Sequence, residues 1–167
     1  MVAISDTTLR DGAQGEGITF SPTDKRQIVT ALDQLGIRWI EAGNPGSNAA
    51  DEAFFESLRT AIPLRHASLL AFGSTCRPGI SPEDDTALNK LNTCFADVKV
   101  VFGKSSEKQA TQILRCDPSE NLRIIGDSVR FLKKGGNRVW FDAEHFFDGF
   151  KNNSSYIITY LPKYFNN

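Results

Sequence analysis

An α/β fold of repeated βα units is what this sequence predicts, on three observations. Short β-rich runs alternate with longer amphipathic stretches, each run gives way to turn residues, and the stretches between carry helix start and stop signals. Parallel strands joined by right-handed crossovers follow from such an order. Two architectures use these units, the (β/α)8 barrel and the open doubly wound sheet, and both place functional groups at the carboxyl ends of the strands.

The first run, Val2 to Ser5, opens into a loop containing Asp11-Gly12. Ser21-Pro22-Thr23-Asp24 then supplies an N-cap hydroxyl, a proline at the first helical position and a carboxylate at N3, a variant of the capping box. Ile28, Ala31, Leu32 and Leu35 form one apolar stripe, and Gly36 ends the helix where a left-handed residue is required. The second run, Trp39 to Ala42, breaks at Gly43-Asn44-Pro45-Gly46, and helical sequence follows from Asp51 to Ala61. The third run, Ser68 to Phe72, precedes a helix over Glu83 to Leu91, and the fourth, Val98 to Phe102, precedes one over Ser106 to Leu114. A stronger helix opens at Asp117-Pro118. Leu122, Ile125, Val129 and Leu132 line one face of it, Lys133 and Lys134 oppose the negative end of its dipole, and Gly135 ends it. The fifth run, Arg138 to Asp142, leads to a turn at Asp148-Gly149, with room for a last helix from Ser154 that Pro162 would break.

The chain has 167 residues, of which 40% are apolar, enough to fill the core of one domain. Nineteen Lys and Arg against twenty Asp and Glu leave a net charge of −1 with no block of like charges, so neither nucleic acid nor an anionic membrane is expected as a partner. No apolar stretch stands behind a basic start, and none approaches the ~20 residues a bilayer span needs. A soluble, cytoplasmic protein is the expectation. Cys76, Cys94 and Cys116 stand far apart and form no C-x-x-C pair, which fits ordinary thiols better than disulfides or a zinc site.

Chemistry concentrates after the first strand, in Asp6-Thr7-Thr8-Leu9-Arg10-Asp11-Gly12-Ala13-Gln14-Gly15-Glu16-Gly17. Asp11 offers a hard oxygen donor suited to Mg²⁺ or Mn²⁺, and Arg10 a planar fork for carbonyl or carboxylate oxygens. A solvated loop with an internal Arg10 to Asp11 ion pair explains the same residues. Glu41 ends the second strand inside an apolar run, where a carboxylate is costly to bury unless paired, and Arg10 is one such partner. Asp142, Glu144 and His145 follow the fifth strand; His145, beside aromatics, reads first as a packing residue, and His66, ahead of the third strand, as structural. Two phosphate motifs fail. Gly103-Lys104-Ser105 would end a P-loop, but the glycine required five positions before the Gly-Lys pair is Val98, and Gly12, Gly15 and Gly17 run opposite to the dinucleotide fingerprint.

The heptapeptide Asp6-Thr7-Thr8-Leu9-Arg10-Asp11-Gly12 with Gln14 resembles the metal-dependent Claisen enzymes: 2-isopropylmalate, homocitrate and citramalate synthases and, more distantly, hydroxymethylglutaryl-CoA lyase. Further pieces are similar to the citramalate synthase branch: Gly15-Glu16-Gly17, Ile40-Glu41 with Gly43 to Asn48, Ala71 to Thr75, Phe102 to Ser105, and Asp142 to Gly149. The resemblance runs from about Ile4 to Tyr156. It implies a (β/α)8 TIM barrel, about five of whose units are present, and a metal-dependent acyltransferase that condenses acetyl-CoA with an α-keto acid, pyruvate in the citramalate branch, for isoleucine and leucine biosynthesis. By resemblance Asp11 is a ligand of the divalent cation, Arg10 polarises the keto-acid carbonyl, Gln14 binds substrate, and Glu41 and Glu144 complete the catalytic polar shell. The resemblance also implies a homodimer for full-length relatives.

The chain departs from that pattern. The family completes its metal site with H-x-H and Asn from later strands, whereas His66 and His145 are the only histidines here. Ser106 and Gln109 replace an aromatic residue and a histidine. Strand starts near residues 2, 39, 68, 98 and 138 recur about every 34 residues, so eight units need about 272, near the roughly 250 of a closed barrel. The expectation is therefore an incomplete barrel inactive on its own, with 162–167 a truncated or frameshifted tail. Another family member, or a non-catalytic fragment that pairs through exposed strand edges, are the alternatives.

Overall fold

A computed structural model describes residues 2–60 and 63–160. Five strands, β1 (Ser5–Asp6), β2 (Trp39–Gly43), β3 (Ser68–Ser74), β4 (Val98–Lys104) and β5 (Val139–Glu144), form one sheet in the order β1-β2-β3-β4-β5. Every pairing is parallel. Strand order that follows sequence order without reversal is the wall of a barrel; a doubly wound sheet would reverse at a switch point. The sheet is also curled. Trp39 on β2 and Trp140 on β5 have two strands between them, yet their rings meet edge to face with centroids 4.8 Å apart. The fold is an incomplete (β/α)8 barrel of five parallel strands.

The helices are α1 (Pro22–Gln34), α2 (Ala49–Ser57), α3 (Thr86–Thr93), α4 (Glu107–Gln109, continued as a π-type turn over Ala110–Leu114), α5 (Pro118–Lys134) and α6 (Phe146–Asn152). Strand residues alternate between two clusters. Ile40, Ala42, Leu69, Ala71 and Val101 face the helices and pack with Val29, Phe54, Phe55, Leu88, Leu91, Ile124 and Leu132. Leu70, Phe72, Val98 and Val100 face the concave side with Trp39, Phe102 and Trp140. Each Val, Leu, Ile or Phe among them that is fully removed from water contributes roughly 1.5–3 kcal/mol. On the concave side the apolar run ends in charge at the carboxyl end of each of three strands: Trp39 then Glu41, Phe102 then Lys104, Trp140 then Asp142 and Glu144.

The capping box at α1 forms as expected: Ser21 Oγ accepts from the Asp24 N–H at 3.2 Å, and Asp24 Oδ2 accepts from the Ser21 N–H at 2.9 Å. Gly36 adopts φ +78°. Other expectations need correction. The buried line of α1 is Lys25, Val29 and Asp33, while Leu35 is 76% exposed, because the polar ends of that line have backbone partners. Strand β1 is only Ser5–Asp6, and β3 and β4 run two residues further than expected. The helix expected from Glu83 begins at Thr86, capped by Asp85, after a 3₁₀ turn over Pro82–Asp84. Gly135 caps the end of α5 as expected, and Gly136 after it takes positive φ. Asp148-Gly149 lies inside α6 rather than in a turn: a side chain on Gly149 would press within 3.1 Å of the Ser105 carbonyl oxygen, so glycine lets the helix settle on that loop. The last helix expected from Ser154 is present as helical backbone over 154–160, of π type from Tyr156 to Tyr160. The end of the helix expected to reach Ala61, and the tail 162–167, lie outside the described residues. No helix among the described residues is long and apolar enough to cross a membrane.

Candidate active site

The loop after β1 is held by its own backbone. Thr7 O accepts from the N–H groups of Arg10, Asp11 and Gly12, and a 3₁₀ turn over Gly12–Gln14 follows. This coil turns Arg10, Asp11 and Gln14 toward a cavity of about 680 Å³ at the carboxyl ends of the strands, whose wall also includes Phe72, Asp142 and Glu144. The loop selected from sequence and the fifth strand's acidic pair therefore share one space.

Arg10 is the best-placed cation in it. Its Nε and Nη2 donate to Glu41 Oε2 at 2.8 and 2.6 Å, and its guanidinium carbon lies 4.4 Å from the centroid of the Phe72 ring. Nη1 reaches Asp11 Oδ1 at 3.4 Å. The pairing of Glu41 with Arg10 and the orientation of Arg10 are thus one arrangement, since a fork clamped on one edge by a carboxylate presents its remaining N–H groups in a fixed direction. Burial raises the Glu41 carboxyl above the usual carboxylate range, and the hydrogen bonds and charge of Arg10 pull it only part of the way back.

Asp11 and Gln14 are exposed to solvent at the cavity rim. Glu144, the last residue of β5 rather than part of the loop after it, accepts from Lys104 Nζ at 2.8 Å. Asp142, two residues earlier on the same face, has its carboxyl raised by burial and then by the neighbouring Glu144, against the pull of Arg10. His145 is exposed, takes a left-handed backbone, and lies 3.6 Å from Asp148, outside the cavity wall. His66 sits before β3 with its N–H bonded to Asp33.

Sequence reasoning missed the pair beneath this loop. Lys25, 2% exposed, donates from Nζ to Leu9 O at 3.0 Å, Ala42 O at 2.8 Å and Asp51 Oδ1 at 2.5 Å. Asp51 Oδ2 accepts from the Asn44 N–H at 2.7 Å. One ammonium therefore joins the carbonyl just before Arg10 to the carbonyl just after Glu41. Gly43 leaves room for it: φ there is +139°, and a Cβ would meet the Asp51 carboxylate and lie 2.8 Å from Lys25 Nζ.

For a divalent cation the described residues supply too little. Among them no three His, Cys, Asp or Glu side chains stand together as a metal cage. Asp11 is a single carboxylate, 64% exposed and leaning toward Arg10, whereas Mg²⁺ and Mn²⁺ sites need several oxygens in fixed directions. By themselves these residues do not make the expected metal site.

A parallel barrel wall with a charged, arginine-centred cavity at its carboxyl end places the chain among barrel-type α/β proteins that carry their site in the βα loops. The chain belongs to the HMGL-like family, whose profile matches residues 1–158. It is 45% identical over 157 residues to the (R)-citramalate synthase of Sulfolobus acidocaldarius, a match that covers 94% of this chain and 30% of the relative. Likewise it is 44% identical to the (R)-citramalate synthase of Geobacter sulfurreducens, covering 96% and 30%. The 2-isopropylmalate synthase of Methanocaldococcus jannaschii is 29% identical, over 97% of this chain and 29% of the relative. The chain thus spans about a third or less of the length of these relatives. In three dimensions the HMG-CoA lyase of Bacillus subtilis matches 84% of this chain and 45% of its own with a TM-score of 0.62 at 19% identity, a likeness of fold.

Proposed function

We propose that the cavity bounded by Arg10, Gln14 and Glu144 is the α-keto-acid end of an acyltransferase site that joins acetyl-CoA to a keto acid, pyruvate in the first instance. The observation that carries this reading is the Arg10 guanidinium, clamped by Glu41 on one edge, lying against Phe72 and opening onto the cavity. The names of the relatives support it, as synthases of citramalate and 2-isopropylmalate.

In this reading carbon–carbon bond formation converts the keto carbonyl into an alkoxide, and Arg10 is oriented before the charge appears. A donor held in place needs no reorganisation at the moment of reaction, and losing one typically costs 10²–10³ in rate, about 2.7–4 kcal/mol. Glu41 is the positioning partner, since without it the fork could turn away. Gln14 at the rim binds the substrate, and Glu144, steadied by Lys104, supplies polar contact on the far wall. Asp11 is one oxygen donor toward a divalent cation, in a set that the described residues do not complete.

The test is a chimera. Residues 2–158 of this chain replace the matching stretch of the Geobacter sulfurreducens relative, and citramalate formed from acetyl-CoA and pyruvate is measured by mass spectrometry. A folded, active chimera whose turnover falls about 10²-fold or more with Arg10→Gln supports the reading. Turnover that survives Arg10→Gln unchanged, or a folded chimera that makes no product, refutes it.

A further inference from the structure

Away from this cavity, at the opposite end of β4, a lysine is buried against a cysteine. Lys99, 1% exposed, points from the helix-facing side of β4 toward Cys94, the residue that caps α3. Its Nζ donates to the Cys94 carbonyl oxygen and to Cys94 Sγ, the latter at 3.1 Å. No carboxylate among the described residues forms an ion pair with it. Burying an ammonium without an anion is costly, and among the described residues the sulfur is its one side-chain hydrogen-bond partner. Cys94 as a residue is partly exposed, and its Sγ also lies 3.3 Å from Leu91 O. Burial pushes the Cys94 thiol up, and the Lys99 charge pulls it partly back.

We propose that Cys94 and Lys99 form an oxidation-dependent covalent cross-link, a modification site separate from the acyltransferase reading and independent of it. The oxidant is a hydroperoxide, hydrogen peroxide in the simplest case. In the first step the Cys94 sulfur attacks one peroxide oxygen, the O–O bond breaks, and the thiol becomes a sulfenic acid with release of one water; sulfur is oxidised by two electrons and peroxide is reduced. In the second the Lys99 ammonium first gives one proton to solvent; the neutral amine nitrogen then attacks the sulfenyl sulfur, the S–OH bond breaks, and the hydroxyl leaves as water with a second proton from that nitrogen. The product is a neutral S–N bond. Sulfenic acids condense in this way with thiols and with backbone nitrogen, and a side-chain amine already 3.1 Å from the sulfur is placed to compete. The second step also removes an unpaired charge from the interior, which favours it here over a solvent-exposed lysine. The bond would tie the end of α3 to the start of β4, closing the short connection from Cys94 to Lys99.

Cys76 and Cys116 serve as internal controls, because neither has a lysine within hydrogen-bond distance among the described residues: Cys76 Sγ faces Ile124 O and Cys116 Sγ faces Ala110 O. The experiment treats the whole chain with hydrogen peroxide at about pH 8.5, near the ordinary thiol value, and maps peptides by tandem mass spectrometry. The expected result is a single tryptic peptide over 91–104, uncut at Lys99 and closed on itself between Cys94 and Lys99, lighter by about 2 Da than the same uncut peptide in reduced form and opened by dithiothreitol. Repeating it in a Cys76→Ser/Cys116→Ser chain removes the disulfides to those two thiols that compete for the Cys94 sulfenic acid. In Lys99→Arg the link should vanish and a sulfenic-acid trap such as dimedone should label Cys94 several-fold more. Equal dimedone labelling of Cys94 in the wild-type and Lys99→Arg chains, or oxidation confined to Cys116, overturns the proposal. Should the substituted chains melt early, the wild-type peptide map alone decides.

Discussion

Removing the carboxylate of Asp51 should destabilise this chain more than any exposed charge could, because it strands a buried ammonium. Lys25 is 2% exposed, and among the described residues Asp51 is the one anion it pairs with; the Leu9 and Ala42 carbonyls would remain as neutral acceptors. Breaking a buried pair by deleting one partner typically costs 3–5 kcal/mol, and the freed Asn44 N–H adds about 1 kcal/mol more. For a domain whose whole stability is about 5–15 kcal/mol, Asp51→Ala would use a large share of it. At about 2–4 °C per kcal/mol for a chain of this size, a loss of about 4 kcal/mol lowers Tm by roughly 8–16 °C. Urea unfolding followed by far-ultraviolet circular dichroism measures the difference. The double-mutant cycle with Lys25→Met isolates its cause: the pair removed together should cost less than the sum of the singles, with a coupling of at least about 2 kcal/mol. An Asp51→Ala chain within about 1 kcal/mol of wild type, or strictly additive singles, would refute the claim that this ion pair holds the Arg10 loop to β2.

Other consequences are more local. Gly46→Ala should cost about 1–3 kcal/mol in urea unfolding, since its Cβ would lie 2.9–3.1 Å from Ala87 Cβ, O and Cα, atoms with no flexible tip to move; an unchanged midpoint would show that α3 can shift to admit it. In Arg10→Gln the Glu41 carboxyl should titrate at still higher pH than in wild type, because burial raises it and Arg10 is what restrains it; carbon-13 NMR of that carboxyl reads this directly, and an unmoved titration contradicts the clamp. Burial alone would raise Asp33, but N–H groups of Ala67, Arg65 and His66 outweigh it and hold the carboxyl below its ordinary value. Its contribution is therefore present above about pH 3.9 and is lost as pH falls through the lowered folded value, so the gap between wild type and Asp33→Asn should be widest near neutrality and close in acid; parallel stability curves would count against it. Ser21→Ala should cost about 1 kcal/mol through the lost cap of α1, read as a small fall in Tm.

How much of the fold is legible in the sequence depends on how local the deciding contacts are. The five strands were legible because each is a short β-rich run ending in turn residues, and the cavity loop because Asp6 to Gly17 gathers charge and glycine at a strand's carboxyl end. Arg10, Asp11, Gln14 and Glu144 could be assigned to one face by counting βα units, and they do share one cavity. What escaped is the logic of α1. Its expected stripe included Leu35, which is 76% exposed, and omitted Lys25 and Asp33, which are buried. Apolar periodicity cannot find such residues, since their partners, the Asp51 carboxylate and backbone atoms, lie 16 to 34 positions away: Lys25 holds Leu9 and Ala42 at the carboxyl ends of the strands, and Asp33, two turns later, holds Arg65 to Ala67 just before β3. The signal was present as spacing without apolarity, an i, i+4, i+8 line of Lys25, Val29 and Asp33 with opposite charges at its two ends. Because α1 runs antiparallel to the strands, that line fastens both ends of the wall with one helix, and the end that carries Lys25 is the one beneath Arg10. Precision at the cavity is thus set partly by a residue that no reading of the loop alone would select, which is why the Asp51 and Lys25 cycle tests the site as well as the fold.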